Sequence, residues 1–153
     1  MAKLYVLVGV PGAGKSTWVK NQDWAKGIPV VSTDHFVEEH AAKVGKTYNE
    51  VFTEYMPIAV KLMANQVEIC KANGLDIIWD QTSTSEKTRA RKFNMLPNYY
   101  AIAVVFKTPE KEELARRLAS RPGKNIPDHV MKSMIEGFVM PTEEEGFKEI
   151  WYV

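Results

Sequence analysis

The chain has 153 residues, 45% of them hydrophobic, and its 20 lysines and arginines against 19 aspartates and glutamates give a formal net charge of +1. This length favours one domain with its own core, and the near-zero charge excludes a protein that coats long nucleic acid through bulk electrostatics. A single cysteine, Cys70, leaves no disulfide partner, and His35, His40 and His129 match no common zinc pattern, so disulfide scaffolds and structural zinc sites are excluded as well.

The first half of the chain alternates short apolar strands with helical patterns. Residues 4–8 are a continuous apolar run, which predicts a strand buried on both faces and followed by a glycine-rich turn. This run is too short for a signal peptide or a membrane span, so we expect a cytoplasmic protein (in the host cytoplasm if a phage encodes it) without a membrane partner. We further expect a short helix over 15–21, a strand over 29–32, a helix over 36–44 and a long helix over 47–73 that Pro57 should kink or split.

The second half continues the alternation. Strands are predicted over 75–79, 99–106 and 149–153, and helices from the Thr/Ser cluster after Asp80 to residue 94, over 110–120, and from Pro127 onward. Residues 121–125 should form a mobile loop. The whole pattern predicts an α/β fold in one domain over residues 1–153, a five-stranded parallel sheet flanked by helices. Ligands of such sheets bind at the carboxyl ends of the strands.

A phosphate-binding loop follows the first predicted strand. The segment GVPGAGKST over residues 9–17 matches the pattern G-x-x-x-x-G-K-[ST]. Its glycines let backbone N–H groups close around phosphate oxygens, Lys15 reaches the β and γ phosphates, and Ser16 supplies a ligand for Mg²⁺. The alternative, a glycine turn with an incidental lysine, does not explain why a strand precedes it and a helix follows. The residues predicted here to bind the nucleotide are Gly9, Pro11, Gly12, Ala13, Gly14, Lys15, Ser16 and Thr17.

Two aspartates follow the second and third predicted strands. Asp34 would face the phosphate loop and could accept the proton of an acceptor hydroxyl as that hydroxyl attacks the γ-phosphate; alternatively, it is a helix N-cap. Asp80 could hold Mg²⁺ directly or through water, and its alternative role is again a cap. Both residues therefore keep a catalytic and a structural interpretation at this point.

Arg117 and Arg121 bracket the end of the helix over 110–120. Guanidinium groups on a mobile loop can complete a phosphoryl-transfer site when the loop closes, so residues 116–127 are predicted to form a lid. Cations also gather at helix ends for structural reasons, which is the alternative for Arg121. Arg116 is interpreted as a solvated helix charge.

The arginines are unevenly distributed along the chain. All five lie between Arg89 and Arg121, and residues 86–124 hold ten basic and four acidic side chains, a local charge of +6. Arg89, Arg91 and Lys92 could line a site for an acceptor phosphate or form a solvated helix face. The four tryptophans are interpreted as packing residues rather than as a stacking platform.

Taken together, these motifs resemble the kinase domain of phage-type polynucleotide 5′-kinases, a branch of the phosphate-loop kinases. The similarity lies in GVPGAGKSTW over 9–18, STDHF over 32–36, DQT over 80–82 and RLASRPGKNIP over 117–127. The resemblance implies a central phosphate-loop strand, ATP and Mg²⁺ as cosubstrates, and transfer to a 5′-hydroxyl of DNA or RNA. It implies Lys15 and Ser16 on phosphates and metal, Asp34 as general base and Arg121 on the transition-state charge, and we assign Thr82 and Arg89 to the acceptor as well.

Two departures from that family's pattern bear on the acceptor. The family arginine three residues after the base, which holds the acceptor's phosphate, is Val37 here. No D-x-D-x-[TV] motif is present, so no 3′-phosphatase activity is expected. The alternatives are a phosphate-loop kinase for a nucleoside, a sugar, an antibiotic or a hydroxyl on a modified DNA base, and a nucleotide-binding module without turnover; for the module, the guanine-binding signature N-K-x-D of switch GTPases is missing.

Overall fold

A single parallel sheet organises the computed structural model, which describes all residues 1–153. Its strands are β1 Lys3–Val8, β2 Val30–Val31, β3 Ile77–Trp79, β4 Tyr100–Val105 and β5 Glu149–Tyr152. They lie in the order β2-β3-β1-β4-β5, and all four neighbouring pairs are parallel. The predicted five-stranded parallel sheet is confirmed, with the strand that precedes the glycine loop at its centre.

Six helices connect the strands: α1 Lys15–Lys20, α2 Thr33–Val44, α3 Tyr48–Ala72, α4 Glu86–Met95, α5 Lys111–Ala119 and α6 Asp128–Glu136. Helix α2 begins three residues earlier than predicted, because Ser32 in extended conformation occupies the N-cap. Helix α3 runs through Pro57 without the predicted split. Pro127 is the N-cap of α6 rather than a residue of its first turn.

The sheet is covered on both faces, which accounts for the continuous apolar runs in its strands. Alternate β1 residues point to opposite sides: Leu4 and Val6 belong to the larger core cluster, which includes residues of α3, and Tyr5 and Leu7 belong to the smaller one. On the second side Tyr5, Trp18, Trp24 and Trp151 pack with ring centroids 4.8 to 6.0 Å apart. No helix is long and apolar enough to cross a membrane.

Candidate active site

One large cleft lies at the carboxyl ends of the strands, where parallel sheets bind their ligands. Its volume is about 1220 Å³, and its walls come from the loop after β1, the segments that follow β2 and β3, and the loop between α5 and α6. Four of the sequence motifs therefore meet in one place, although they are distant in the chain.

The loop after β1 is shaped for close approach of phosphate oxygens. Gly12 and Gly14 have φ angles of 85° and 95°, a region that side chains with a Cβ disfavour. Gly12 is also crowded, because a Cβ there would stand 2.8 Å from Leu114 Cδ1. Lys15 Nζ folds over this loop and donates to the carbonyl oxygens of Gly9 at 2.8 Å and Val10 at 3.0 Å. Burial lowers the pKa of Lys15 to about 8, although Asp80 and Asp34 act in the opposite direction.

Ser16 and Asp80 form the pair predicted to hold a metal ion. Ser16 Oγ donates to Asp80 Oδ2 at 2.8 Å, which joins the start of α1 to the end of β3. Burial raises the pKa of Asp80 above its usual range. The capping interpretation of Asp80 is wrong, because Ser85 is the N-cap of α4 and accepts a hydrogen bond from Thr88 N at 3.2 Å.

Asp34 lies in the first turn of α2 and is not its cap, so its capping interpretation is wrong too. Its carboxylate faces the cleft and accepts hydrogen bonds from the Tyr48 hydroxyl at 2.6 Å and from Lys124 Nζ at 2.9 Å. Burial alone would raise the pKa of Asp34, but these two hydrogen bonds and the charges of Lys124 and Arg121 lower it below its usual range. The carboxylate is therefore ionised at neutral pH.

The loop over residues 120–127 lies against the start of α3. Asn49 is the anchor: its side chain donates to the carbonyl oxygen of Asn125 and accepts from Asn125 N, both at 2.9 Å. Its backbone N–H donates to Gly123 O at 3.0 Å. This docking brings Arg121 and Lys124 into the cleft.

Arg121 carries two buried nitrogen atoms, Nε and Nη2, that have no hydrogen-bond partner. Leaving buried donors of a charged group without partners is unfavourable, so such groups in a cleft point to an anionic ligand. The position of Arg121 in the cleft agrees with its interpretation as a phosphate contact.

Several predicted residues occupy other positions. Arg117 does not line the cleft; it donates to Gly12 O at 3.0 Å and to Glu113 Oε1 at 2.8 Å, so it supports the phosphate loop from behind. Gly9 and Ala13 are also absent from the cleft lining. Thr82 does line it, and its carbonyl oxygen accepts from Gly9 N at 2.9 Å.

Both interpretations of Arg89 are wrong. Its side chain is 0% exposed and its guanidinium donates to Glu145 at 2.7 Å and to the carbonyl oxygens of Ser83 and Val139. Lys92 is buried too, with Nζ 5.1 Å from the centroid of the Trp79 ring. Of the three basic residues assigned to one face of α4, Arg89 and Lys92 are therefore buried, and only Arg91 is exposed.

The cleft lining also contains residues that sequence reasoning missed. Tyr48 and Glu38 belong to no motif, and Lys124 was not singled out within the lid pattern. We use the term acceptor wall for the cleft-lining residues from β2 through α3, residues 30–66. They are Val30, Ser32, Asp34, His35, Glu38, Tyr48, Asn49, Phe52, Thr53 and Gln66.

Comparison with known proteins identifies the family and the fold. A family model described as "AAA domain" matches residues 4–141. A shikimate kinase of Rhodococcus jostii (strain RHA1) is 35% identical over 92 residues, which are 58% of this chain and 53% of that protein. A second shikimate kinase, from Corynebacterium jeikeium (strain K411), is 43% identical over 54 residues, which are 35% of this chain and 28% of that protein. The chain thus spans about half or less of the length of these curated relatives.

Solved structures share the fold at low sequence identity. A suspected kinase from Chloroflexus aurantiacus has a TM-score of 0.76 at 17% identity over 99% of this chain and 87% of that one. A chain of the Pnkp1/Rnl/Hen1 RNA repair complex has a TM-score of 0.65 at 24% identity over 89% of this chain and 43% of that one. A gluconokinase from Sinorhizobium meliloti 1021 scores 0.55 at 17% identity over 99% and 82%. These similarities confirm the predicted phosphate-loop kinase fold.

Proposed function

Because the chain belongs to the AAA-domain family that matches residues 4–141, we propose that it is a Mg²⁺- and ATP-dependent phosphotransferase that moves the γ-phosphate to an acceptor hydroxyl. One observation carries the proposal. A phosphate loop with its lysine, an arginine with unpaired buried nitrogens and an ionised aspartate line the same cleft. These are the groups that phosphoryl transfer to an alcohol requires.

Lys15 and Arg121 bind the phosphates in this proposal. Lys15 now donates only to two carbonyl oxygens of its own loop, which phosphate oxygens would replace as stronger, charged acceptors. Arg121 Nε and Nη2 would donate to the oxygens of the transferred phosphoryl group, whose charge is greatest in the transition state. Lysine and arginine therefore act on the nucleotide side of the cleft.

The Ser16 and Asp80 pair fits Mg²⁺. Both offer oxygen atoms at one position, and Mg²⁺ prefers oxygen ligands while keeping several waters and the substrate's phosphates. When bound, Mg²⁺ would neutralise charge on the β and γ phosphates. Ser16 Oγ and Asp80 Oδ2 would give up their mutual hydrogen bond to hold the ion, and the raised pKa of Asp80 would fall as that carboxylate gained a cation.

Asp34 is the proposed general base. Tyr48 holds one of its oxygens, and Lys124 occupies the other. An acceptor hydroxyl would displace Lys124 from Oδ2 and donate its hydrogen bond there. Its proton would pass to the carboxylate as its oxygen bonds to the γ-phosphorus and the bond from that phosphorus to the β–γ bridging oxygen breaks, which releases ADP. Tyr48 keeps the carboxylate oriented during this exchange.

One candidate acceptor is the 5′-hydroxyl of DNA or RNA, with a nucleic-acid end as the partner. It is supported by the order of the motifs shared with polynucleotide 5′-kinases and by the fold shared with a chain of an RNA repair complex. Thr82, which lines the cleft beside Asp80, would contact this acceptor.

A small-molecule hydroxyl is the second candidate, and a specific observation favours it. Val37 stands where polynucleotide 5′-kinases have an arginine for the acceptor's phosphate, and it is fully buried rather than in the cleft. The local match to shikimate kinase and the fold shared with a gluconokinase agree with a kinase of small alcohols.

A kinase assay with γ-labelled ATP separates these candidates. The purified protein is incubated with Mg²⁺-ATP and 5′-hydroxyl oligonucleotides of DNA and RNA, nucleosides, sugars and shikimate, and the labelled products are resolved. Label on at least one alcohol is the expected result. Label on none, in a protein that binds ATP, would contradict phosphotransfer and favour a nucleotide-binding module.

A further inference from the structure

We propose that the acceptor wall selects a neutral or cationic alcohol, one that carries no phosphate or carboxylate next to the hydroxyl that receives the phosphoryl group. The inference rests on the proposed phosphotransferase function and adds the acceptor's charge class to it. Two observations support it: the wall contains the carboxylates of Asp34 and Glu38, and it contains no lysine or arginine.

The ionised groups of the acceptor wall are two carboxylates, those of Asp34 and Glu38. They lie four residues apart in α2 and so share one face of that helix. One ammonium group, Lys124 Nζ, serves both, at 2.9 Å from Asp34 and 3.1 Å from Glu38. Lys124 is 13% exposed and Glu38 is 54% exposed, so the negative charge is the one that reaches the open cleft. These three groups together carry a net charge of −1, which the charge of Arg121 opposes until that arginine binds the transferred phosphate.

No lysine or arginine beside the acceptor wall is left without a partner for an acidic acceptor, because Lys124 remains paired with Glu38 when an acceptor hydroxyl takes its place on Asp34. The wall contains no lysine or arginine, and its one histidine, His35, lies 3.5 Å from the carboxylate of Glu39. Arg89, Arg116 and Arg117 are each paired with a glutamate elsewhere. Among the cleft-lining cations, Lys15 and Lys20 belong to α1, on the phosphate-loop side. Arg121 is the one whose free nitrogens we assign to the transferred phosphate.

The rest of the wall suits an uncharged ring. Tyr48 and Phe52 are one turn apart in α3, with ring centroids 5.5 Å from each other, and Phe52 is exposed. Aromatic side chains of this kind pack against the apolar face of a sugar or a base. Thr53 and Gln66 add neutral hydrogen-bonding groups to the same wall. Apart from the reacting hydroxyl, which contacts Asp34, the wall can thus hold a ring through aromatic and neutral polar groups.

Matched acceptor pairs test the inference. Each pair shares the hydroxyl and differs in one anionic group: a nucleoside against its 3′-phosphate, and glucose and glucosamine each against its 1-phosphate. Binding is measured by titration calorimetry with a non-hydrolysable ATP analogue and Mg²⁺ present, and turnover by ADP release. We expect the neutral or cationic member to bind about tenfold more tightly, because an added anion would face Glu38 at short range. A preference of the same size for the anionic member would overturn the inference.

Glu38 can be tested directly, with an exposed glutamate of α3 as control. Glu38→Arg should reduce or reverse the preference for the neutral member, whereas Glu54→Arg should leave it unchanged, because Glu54 does not line the cleft and contacts no residue of the wall through an ion pair. Both side chains are exposed, so both variants are expected to fold, which thermal unfolding checks. A Glu38→Arg protein that keeps the wild-type preference would refute the role of this wall.

The two proposals fail in different ways. Selective binding of the uncharged members without any turnover would contradict the phosphotransferase function and leave the wall's selectivity intact. Turnover of both members of every pair at equal efficiency would support phosphotransfer and refute the selectivity. Binding of no member of any pair refutes the selectivity as well.

Discussion

The Arg89 guanidinium joins three segments that are distant in sequence. It donates to Ser83 O after β3, to Val139 O after α6, and through two bonds of 2.7 and 3.2 Å to Glu145, which precedes β5. Its side chain has no exposed surface. Removal of one partner leaves the other charge buried without compensation. The free-energy cost of breaking a buried ion pair therefore exceeds the net stability that the intact pair contributes.

Arg89→Met should therefore lower the free energy of unfolding by about 3–5 kcal/mol, measured by urea denaturation. The matched control is Arg91→Met two residues along α4, where the side chain is exposed and the change should be within about 0.5 kcal/mol. Equal stability of the two variants would contradict a structural role for Arg89. It would also reopen its assignment to the acceptor.

Lys15 predicts a pH dependence of ATP binding. Its pKa lies near 8 in the free protein because of burial, and the phosphates of ATP would raise that pKa by stabilising the ammonium form. Between the two pKa values the complex holds more protons than the free protein, so affinity should fall as pH rises above 8, by at most about tenfold per pH unit.

Calorimetry in buffers of different ionisation enthalpy measures this directly. Near pH 9, binding should take up about one proton per ATP, because the terminal phosphate is already ionised there and does not contribute. Lys15→Arg, whose charge does not titrate, serves as the control and should remove the uptake. Binding of ATP at pH 9 without proton uptake would contradict the low pKa of Lys15.

At the scale of elements, hydrogen bonds join the start of α3 to the loop over residues 120–127. Helix α3 is fixed at its N-terminus by a capping box between Thr47 and Glu50, so Asn49 is held in place on a firm helix end. The hydrogen bonds of Asn49 to Gly123 and Asn125 then hold the loop over the cleft. In the proposed reaction the acceptor displaces Lys124 of this loop from Asp34, so the loop's hydrogen bonds to Asn49 bear on access to the base.

Asn49→Ala should release the loop. Loss of two side-chain hydrogen bonds weakens the docking by about 1–3 kcal/mol, so the amides of Arg121 and of residues 123–126 should exchange with deuterium roughly 5- to 150-fold faster. Asn65→Ala on the same helix, at an exposed position without such bonds, should leave the exchange unchanged. Unchanged exchange in Asn49→Ala would show that other contacts hold the loop.

At the scale of the whole molecule, Mg²⁺-ATP should stabilise the fold, because its proposed ligands come from three separate segments, Ser16, Asp80 and Arg121. A ligand at 100 times its dissociation constant adds about 2.7 kcal/mol, which a thermal scan would register as a rise in Tm. Chelation of Mg²⁺ by EDTA should remove part of that rise. A Tm that ATP raises equally with and without Mg²⁺ would argue against the Ser16 and Asp80 metal site.

Much of this architecture can be predicted from local sequence patterns. Continuous apolar runs predicted the buried parallel strands, and the glycine pattern located the phosphate loop. The arginine in the lid pattern, Arg121, lies in the cleft as predicted. Local sequence patterns do not predict contacts between residues that are distant in the chain. Arg89 and Glu145 are 56 positions apart, so their ion pair could not be predicted. The sequence around Tyr48 likewise gives no sign that its hydroxyl donates to Asp34. Arg89 and Lys92, two of the three basic residues predicted to share a face of α4, are buried and make internal contacts instead.

The most direct test is transfer of the γ-phosphate by the wild-type protein and by Asp34→Asn. With γ-labelled ATP, Mg²⁺ and the best acceptor found in the alcohol panel, the wild type should place label on the acceptor. Asp34→Asn should transfer about 10²–10⁴-fold more slowly while it binds ATP with unchanged affinity. Near-normal transfer by Asp34→Asn would contradict the account of this cleft as a kinase site with Asp34 as its base.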